Sequence, residues 1–114
     1  MKVLVVDDSK LMHRMFEVML RNHELVGAFD GVDALQRLEE NPDTDLVLLD
    51  INMPKMNGLE FLAELKDREG LPPVIIISTE GKEEDTIRGL EAGAAAYIKK
   101  PFGNQELLEV IQRL

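Results

Sequence analysis

Cysteine is absent from this chain. That excludes disulfides, thiol nucleophiles and thiolate metal ligands, and it fits a cytoplasmic protein. Histidine is scarce: His13 and His23 are the whole supply. Both are expected on or just after the first helix, solvated and too distant from any strand end to bind a metal, which disfavours zinc. No apolar run approaches the ~18–20 residues of a membrane span, and no signal-peptide pattern opens the chain. Basic residues are outnumbered, with 13 Lys and Arg against 22 Asp and Glu, for a formal charge of −9. A surface of that sign repels nucleic-acid backbones and anionic lipid, so neither nucleic acid nor membrane is expected as a direct partner. The same excess suits a cation site. Repeats, linkers and low-complexity segments are missing too, and what remains is 114 residues with 45% hydrophobic content, enough for one domain spanning 1–114.

The most informative stretch is Leu46-Val47-Leu48-Leu49-Asp50-Ile51-Asn52-Met53-Pro54-Lys55-Met56-Asn57-Gly58. Its apolar run is continuous rather than alternating, which suits a strand buried on both faces of a parallel sheet. Asp50 arrives where the run stops, and ligands of open α/β sheets bind outside the carboxyl ends of the strands. Pro54 ends the ladder, and Asn57 followed by Glu60 reads as a capping box for the next helix. A lone Asp there commonly just solvates a loop; its company elsewhere raises its standing.

Taken in order, Lys2–Val6 is a β-branched strand ending at Asp7-Asp8, and Ser9 offers a cap to a helix over Lys10–Arg21. Leu25–Phe29 is a weaker strand interrupted by Gly27. After the Asp30-Gly31 turn or cap, Val32, Ala34, Leu35 and Leu38 give a second helix one apolar face. The Leu46–Leu49 strand precedes a third helix over Gly58–Arg68, stopped by Gly70 and Pro72-Pro73. Val74–Ile77 is the most β-prone run and ends in Ser78-Thr79. Glu83–Ala92 is a fourth helix with Gly93 as its C-terminal cap. Ala95–Ile98 leads to Lys99-Lys100-Pro101, and Gln105–Leu114 closes as a fifth helix. Five alternations of strand and helix imply α/β architecture, a parallel sheet doubly wound by five helices. For five strands the order 2-1-3-4-5, flavodoxin-like, is the expected one, taken from precedent rather than from the residues.

That order brings Asp7, Asp8, Asp50, Ser78 or Thr79, and Lys100 to one crevice. Two unit charges about 4 Å apart repel by roughly 4 kcal/mol at an effective dielectric near 20, so three carboxylates need compensation. A hard divalent cation such as Mg²⁺ supplies it through oxygen ligands. The Ser78 hydroxyl and the Lys100 ammonium suit phosphate oxygens, so the set reads as a phosphoryl site with a carboxylate acceptor.

Asp7-Asp8, the Asp50-x-x-Met53-Pro54-x-Met56-x-Gly58 run, Ser78 after an aliphatic strand and Lys100-Pro101-Phe102 together resemble the receiver domain of bacterial response regulators (CheY-like), from Val3 to Leu114. The resemblance implies two-component phosphorelay signalling. Asp50 would accept a phosphoryl group from the phosphohistidine of a sensor histidine kinase or phosphotransfer domain. Asp8 would ligate Mg²⁺ directly and Asp7 largely through water, with Asp50 and the Asn52 backbone carbonyl completing the set and Mn²⁺ a workable substitute. Ser78 and Lys100 would hold the phosphoryl oxygens, with the Lys100–Pro101 peptide cis. Asn52 and Glu80, each two residues past a site residue, would act on the attacking water and tune dephosphorylation. Ser78 and Tyr97 would be the switch pair. They would alter a face made of the fourth helix, fifth strand and fifth helix, which a downstream output protein or effector domain reads. Such a domain is a regulatory phosphoacceptor, not an enzyme in its own right, although it assists its own phosphorylation and resetting.

Blander readings stand beside these. Tyr97 also suits a half-buried strand residue with a wet hydroxyl. Gly81 and Gly89 loosen the fourth helix at roughly 1 kcal/mol for an interior Gly, or simply permit packing. Met12, Met15 and Met19 on the first helix are core filler first, with a docking face for a partner helix or a weak homodimer as the alternative. A dehalogenase-like phosphohydrolase would want Asp at Asn52 and a cap domain. A flavodoxin-like FMN binder would want hydroxyls where Asp7-Asp8 stand. A receiver that works unphosphorylated is disfavoured by the intact site. A helix running to Leu114 suits a receiver cut from a longer regulator, although a stand-alone regulator needs nothing more.

Overall fold

A computed structural model describes residues 1–50, 58–65, 68, 70–78, 83–100 and 102–114; of 58–59, 78 and 83–86 it describes the backbone alone. Ten elements alternate: β1 (Lys2–Val6), α1 (Lys10–Met19), β2 (Glu24–Ala28), α2 (Gly31–Glu40), β3 (Leu46–Asp50), α3 (Gly58–Leu65), β4 (Val74–Ser78), α4 (Glu83–Glu91), β5 (Ala96–Lys99) and α5 (Asn104–Gln112). All strand pairs are parallel, in the order β2-β1-β3-β4-β5. Both the order and the class match the expectation from sequence.

The continuous apolar runs are explained by two cores. Leu4, Val6, Val47, Leu49 and Ile76 point to one face and pack with Ala34, Leu38, Phe61 and Leu62 of α2 and α3. Their neighbours Val3, Val5, Leu46, Leu48, Ile75 and Ile77 point to the other and meet Phe16, Leu20 and Leu107, from α1, the residue after it and α5. Every residue of β3 is buried. Each large side chain removed from water here is worth about 1.5–3 kcal/mol.

The helix starts follow their capping residues. The Ser9 side chain accepts the Met12 amide at 3.2 Å and opens α1, and Asp30 accepts the Asp33 amide at 2.8 Å and opens α2. Beyond α4, Gly93 adopts φ 110°, where a side chain would be strained, and its amide bonds to the Leu90 carbonyl at 3.1 Å. Asn57 and Gly81, and with them the expected Asn57–Glu60 capping box and the loosening at Gly81, lie outside the described residues.

Along α1, Phe16 is buried and Met12 and Met19 pack half-buried against the second core. Leu11, Met15 and Val18 stay on the outside. The apolar stripe therefore divides between core and surface. At β4, a cavity of about 390 Å³ lined by Leu62, Leu65, Val74 and Glu91 opens by the first residue of the strand, at the end remote from the acids.

Candidate functional site

Register builds the site. Val6 pairs with Leu49, so the next rung sets Asp7 beside Asp50; on the other side Asp50 pairs with Ile77. One step further, Ser78 pairs with Lys99, and Lys100 follows at the end of β5. The ends of β1, β3 and β5 thus deliver Asp7, Asp8, Asp50 and Lys100 to one crevice, and the backbone of Ser78 ends β4 between β3 and β5.

Within it, Asp7, Asp8 and Asp50 each bring a carboxylate oxygen within 4.8 Å of the others. Asp7 is 2% and Asp50 7% exposed, while Asp8 faces solvent. Lys100 Nζ lies 3.3 Å from Asp7 Oδ2 and 3.9 Å from Asp50 Oδ2. Among the described residues, three carboxylates against one ammonium leave two net negative charges in a partly buried crevice, which one divalent cation cancels. The donors are all oxygens, with no sulfur and no imidazole among them, so the set fits a hard cation of the Mg²⁺ type.

Asp7 is held through both its backbone and its side chain. Its amide extends the β1–β2 ladder to the Ala28 carbonyl at 3.1 Å, and its Oδ1 accepts the Ser9 amide at 2.9 Å. That turn leads directly into α1, whose cap is the same Ser9.

The reading of His13 as a solvated residue requires correction. Its ring is half-buried, Nε2 is 2.8 Å from the Asp7 carbonyl oxygen, and it packs against Phe29 with centroids 4.4 Å apart and the ring planes tilted by 32°. Helical rise brings one turn of α1 back over the end of β1, which sequence distance alone concealed. Gly27 was the available signal, since a glycine inside a strand often marks a close approach. A Cβ there would sit 3.2 Å from two atoms of the imidazole. His23 stands apart, with Nδ1 3.2 Å from the terminal amine of Met1.

Of the other sequence-derived candidates, Tyr97 is half-buried against the first core. Phe102 stacks on Phe16 at 5.9 Å, fastening the β5–α5 connection to α1. The Ser78 side chain lies outside the description, as do Asn52, Thr79, Glu80 and Pro101.

The family model of the response regulator receiver domain matches residues 3–112. This chain belongs to that family. Receiver domains are the regulatory phosphoacceptor domains of two-component signalling. The chain is 38% identical over 117 residues to the chemotaxis protein CheY1 of Helicobacter pylori, covering 98% of this chain and 94% of that protein. It is 36% identical to the transcriptional regulatory protein CpxR of Escherichia coli, over 99% of this chain and 48% of that longer protein. The chemotaxis protein CheY4 of Vibrio cholerae superposes with a TM-score of 0.88 at 33% identity, covering 98% of this chain and 96% of that one. Among the described residues of this receiver domain, no helix is long and apolar enough to cross a membrane.

Proposed function

We propose that residues 1–114 form one receiver unit in which Asp50 accepts a phosphoryl group from the phosphohistidine of a sensor histidine kinase or phosphotransfer domain. The convergence of Asp7, Asp8 and Asp50 within 4.8 Å under the Lys100 ammonium carries this reading. Family membership supports it.

An Asp50 carboxylate oxygen attacks phosphorus, the phosphorus–nitrogen bond breaks, and its electron pair returns to the donor imidazole. The charge on the transferring group is the obstacle, and positioned positive charge lowers it. Bound Mg²⁺ would supply electrostatic neutralisation of the phosphoryl oxygens. Asp7, Asp8, Asp50 and the Asn52 carbonyl would hold the ion, with Mn²⁺ as a substitute. Lys100 exchanges its contacts with Asp7 and Asp50 for a phosphoryl oxygen, and the Ser78 hydroxyl donates to another. Resetting is hydrolysis: water attacks phosphorus, the Asp50 carboxylate leaves, and the proton departs with phosphate. Asn52 and Glu80 orient that water.

Output follows from Ser78 and Tyr97. Movement of the Ser78 hydroxyl toward the phosphate vacates space beside β5, and Tyr97 turns inward. The α4-β5-α5 face then presents a changed surface to an output protein or effector domain in the cytoplasm.

Phosphorylation by acetyl phosphate with Mg²⁺, followed by intact mass and peptide mapping, tests this. A phosphoryl adduct on Asp50 is expected, and none should form in Asp50→Asn or when Mg²⁺ is chelated before acetyl phosphate is added. An unmodified Asp50 in saturating Mg²⁺, with both acetyl phosphate and a phosphohistidine donor, refutes it.

A further inference from the structure

We infer that His13 is a positioning residue that sets the relative orientation of the two acids at the end of β1, and so the affinity of the crevice for its divalent cation. The inference rests on the reading of Asp7, Asp8 and Asp50 as cation ligands.

A carbonyl oxygen only accepts, so the 2.8 Å contact with Asp7 O requires the proton on Nε2 of His13. The carbonyl belongs to the peptide that joins Asp7 to Asp8, and that unit is planar. Holding its oxygen holds the whole plane, which fixes ψ of Asp7 and φ of Asp8 together. The Asp7 side chain is already held by the Ser9 amide at 2.9 Å and by Lys100 at 3.3 Å. Asp8 is solvent-facing, and its direction is inherited from the peptide plane. One imidazole therefore governs how the two carboxylates face each other.

The ring is itself held from two sides. Phe29 packs against it, tilted, at 4.4 Å, and Gly27 leaves the space its Cε1 and Nδ1 occupy, where a Cβ would approach to 3.2 Å. Three elements thus meet at the His13 ring: α1 carries it, β2 and the residue after it seat it, and the carbonyl at the end of β1 accepts its hydrogen bond. Groups that orient metal ligands from behind typically contribute 10–100-fold in affinity.

The test compares the parent chain with His13→Phe, His13→Gln and Gly27→Ala. His13→Phe keeps a ring on Phe29 and removes the donor, whereas His13→Gln restores an N–H on a flexible arm. Mg²⁺ affinity is read by calorimetry and the Asp7 carbonyl-carbon resonance by NMR in the metal-free protein. Expected for His13→Phe is binding about ten-fold weaker with a shifted Asp7 carbonyl signal, both partly recovered in His13→Gln. Gly27→Ala displaces the ring and weakens binding in the parent, with no further effect when combined with His13→Phe. Should His13→Phe fail to fold, the Gly27→Ala arm carries the same test. A parent that binds Mg²⁺ and variants that change neither affinity nor the carbonyl signal overturn the role of His13 alone. A parent that binds no Mg²⁺ overturns the cation reading and this inference with it.

Discussion

Gly89 of α4 lies directly over Ile76 of β4, and a methyl group placed on Gly89 would overlap Ile76 Cδ1. Ile76 is fully buried, so the displaced methyl has no solvent to turn into. Two effects of Gly89→Ala oppose each other. Replacing an interior helical glycine with alanine gains about 1 kcal/mol of helix propensity. Forcing an extra methyl into a filled core costs about 1–3 kcal/mol. Clash wins, and the net destabilisation expected is about 1 kcal/mol, or about 4 °C in Tm for a chain of this size. Ile76→Val removes Cδ1, the offending atom, and costs about 0.5–1.5 kcal/mol alone. The retained Cγ1 stands 3.5 Å from the new methyl, an ordinary contact. In the Ile76→Val background, Gly89→Ala therefore changes sign and stabilises by about 1 kcal/mol, a coupling of about 2 kcal/mol between the sites. Urea unfolding of the four proteins by circular dichroism measures it, with equal m-values as the two-state control. An effect of Gly89→Ala with the same sign and size in both backgrounds would refute the close packing of α4 on β4.

Lys100→Met removes the ammonium facing Asp7 and Asp50. It should destabilise the metal-free protein by about 1–3 kcal/mol, between the ranges for exposed and buried pairs, and enlarge the rise in Tm on adding Mg²⁺. Asn52→Ala and Glu80→Ala should each lengthen the phosphorylated lifetime, read as loss of the Asp50 phosphoryl adduct with time; unchanged rates in both would reject their part in hydrolysis. At the opposite end of the sheet, Lys2 Nζ is 3.0 Å from Asp43 Oδ1, and that hydrogen bond holds the Asp43 carboxyl below its usual 3.8. A lowered carboxylate stabilises the fold above its unfolded value and loses that contribution as pH falls through the folded one. The Tm difference between parent and Asp43→Asn should therefore be constant near neutrality and close below about pH 4; a difference that widens on acidification would contradict the pairing.

The sheet and its polar rim were legible because both depend on short-range patterns. Continuous runs such as Leu46–Leu49 announce strands buried twice over, and the residue that ends each run must sit at the crevice once the order is known. Asp7, Asp8, Asp50 and Lys100 needed only that step. The strand order needed precedent, since nothing in the residues distinguishes 2-1-3-4-5 from another doubly wound order. His13 was invisible for a different reason. Its role depends on the pitch of α1 over β1 and on the missing side chain of Gly27, two facts from separate elements that meet only in three dimensions. From sequence Gly89 has two readings, a loosening of α4 and a packing site, and the contact with Ile76 decides for packing.

On the proposed reading, the charge balance of the crevice explains why one small group can move a surface. Lys100 divides its attention between Asp7 and Asp50, at 3.3 and 3.9 Å. With a divalent cation the described groups of the crevice sum to neutral. Phosphorylation then converts the Asp50 carboxylate into an acyl phosphate bearing about −1.5 to −2 charge, so the local balance turns negative again by roughly one unit. The ammonium closest to hand answers by shifting its contacts, and Lys100 is one residue from β5, which carries Tyr97. Ser78 ends β4, the strand on which α4 rests through Gly89 and Ile76. The two groups that would grip the phosphoryl oxygens thus stand at the ends of the two strands under the α4-β5-α5 face. A charge change of one unit at those ends is transmitted by stiff, closely packed elements, and closeness at Gly89 is what leaves α4 little freedom to stay behind.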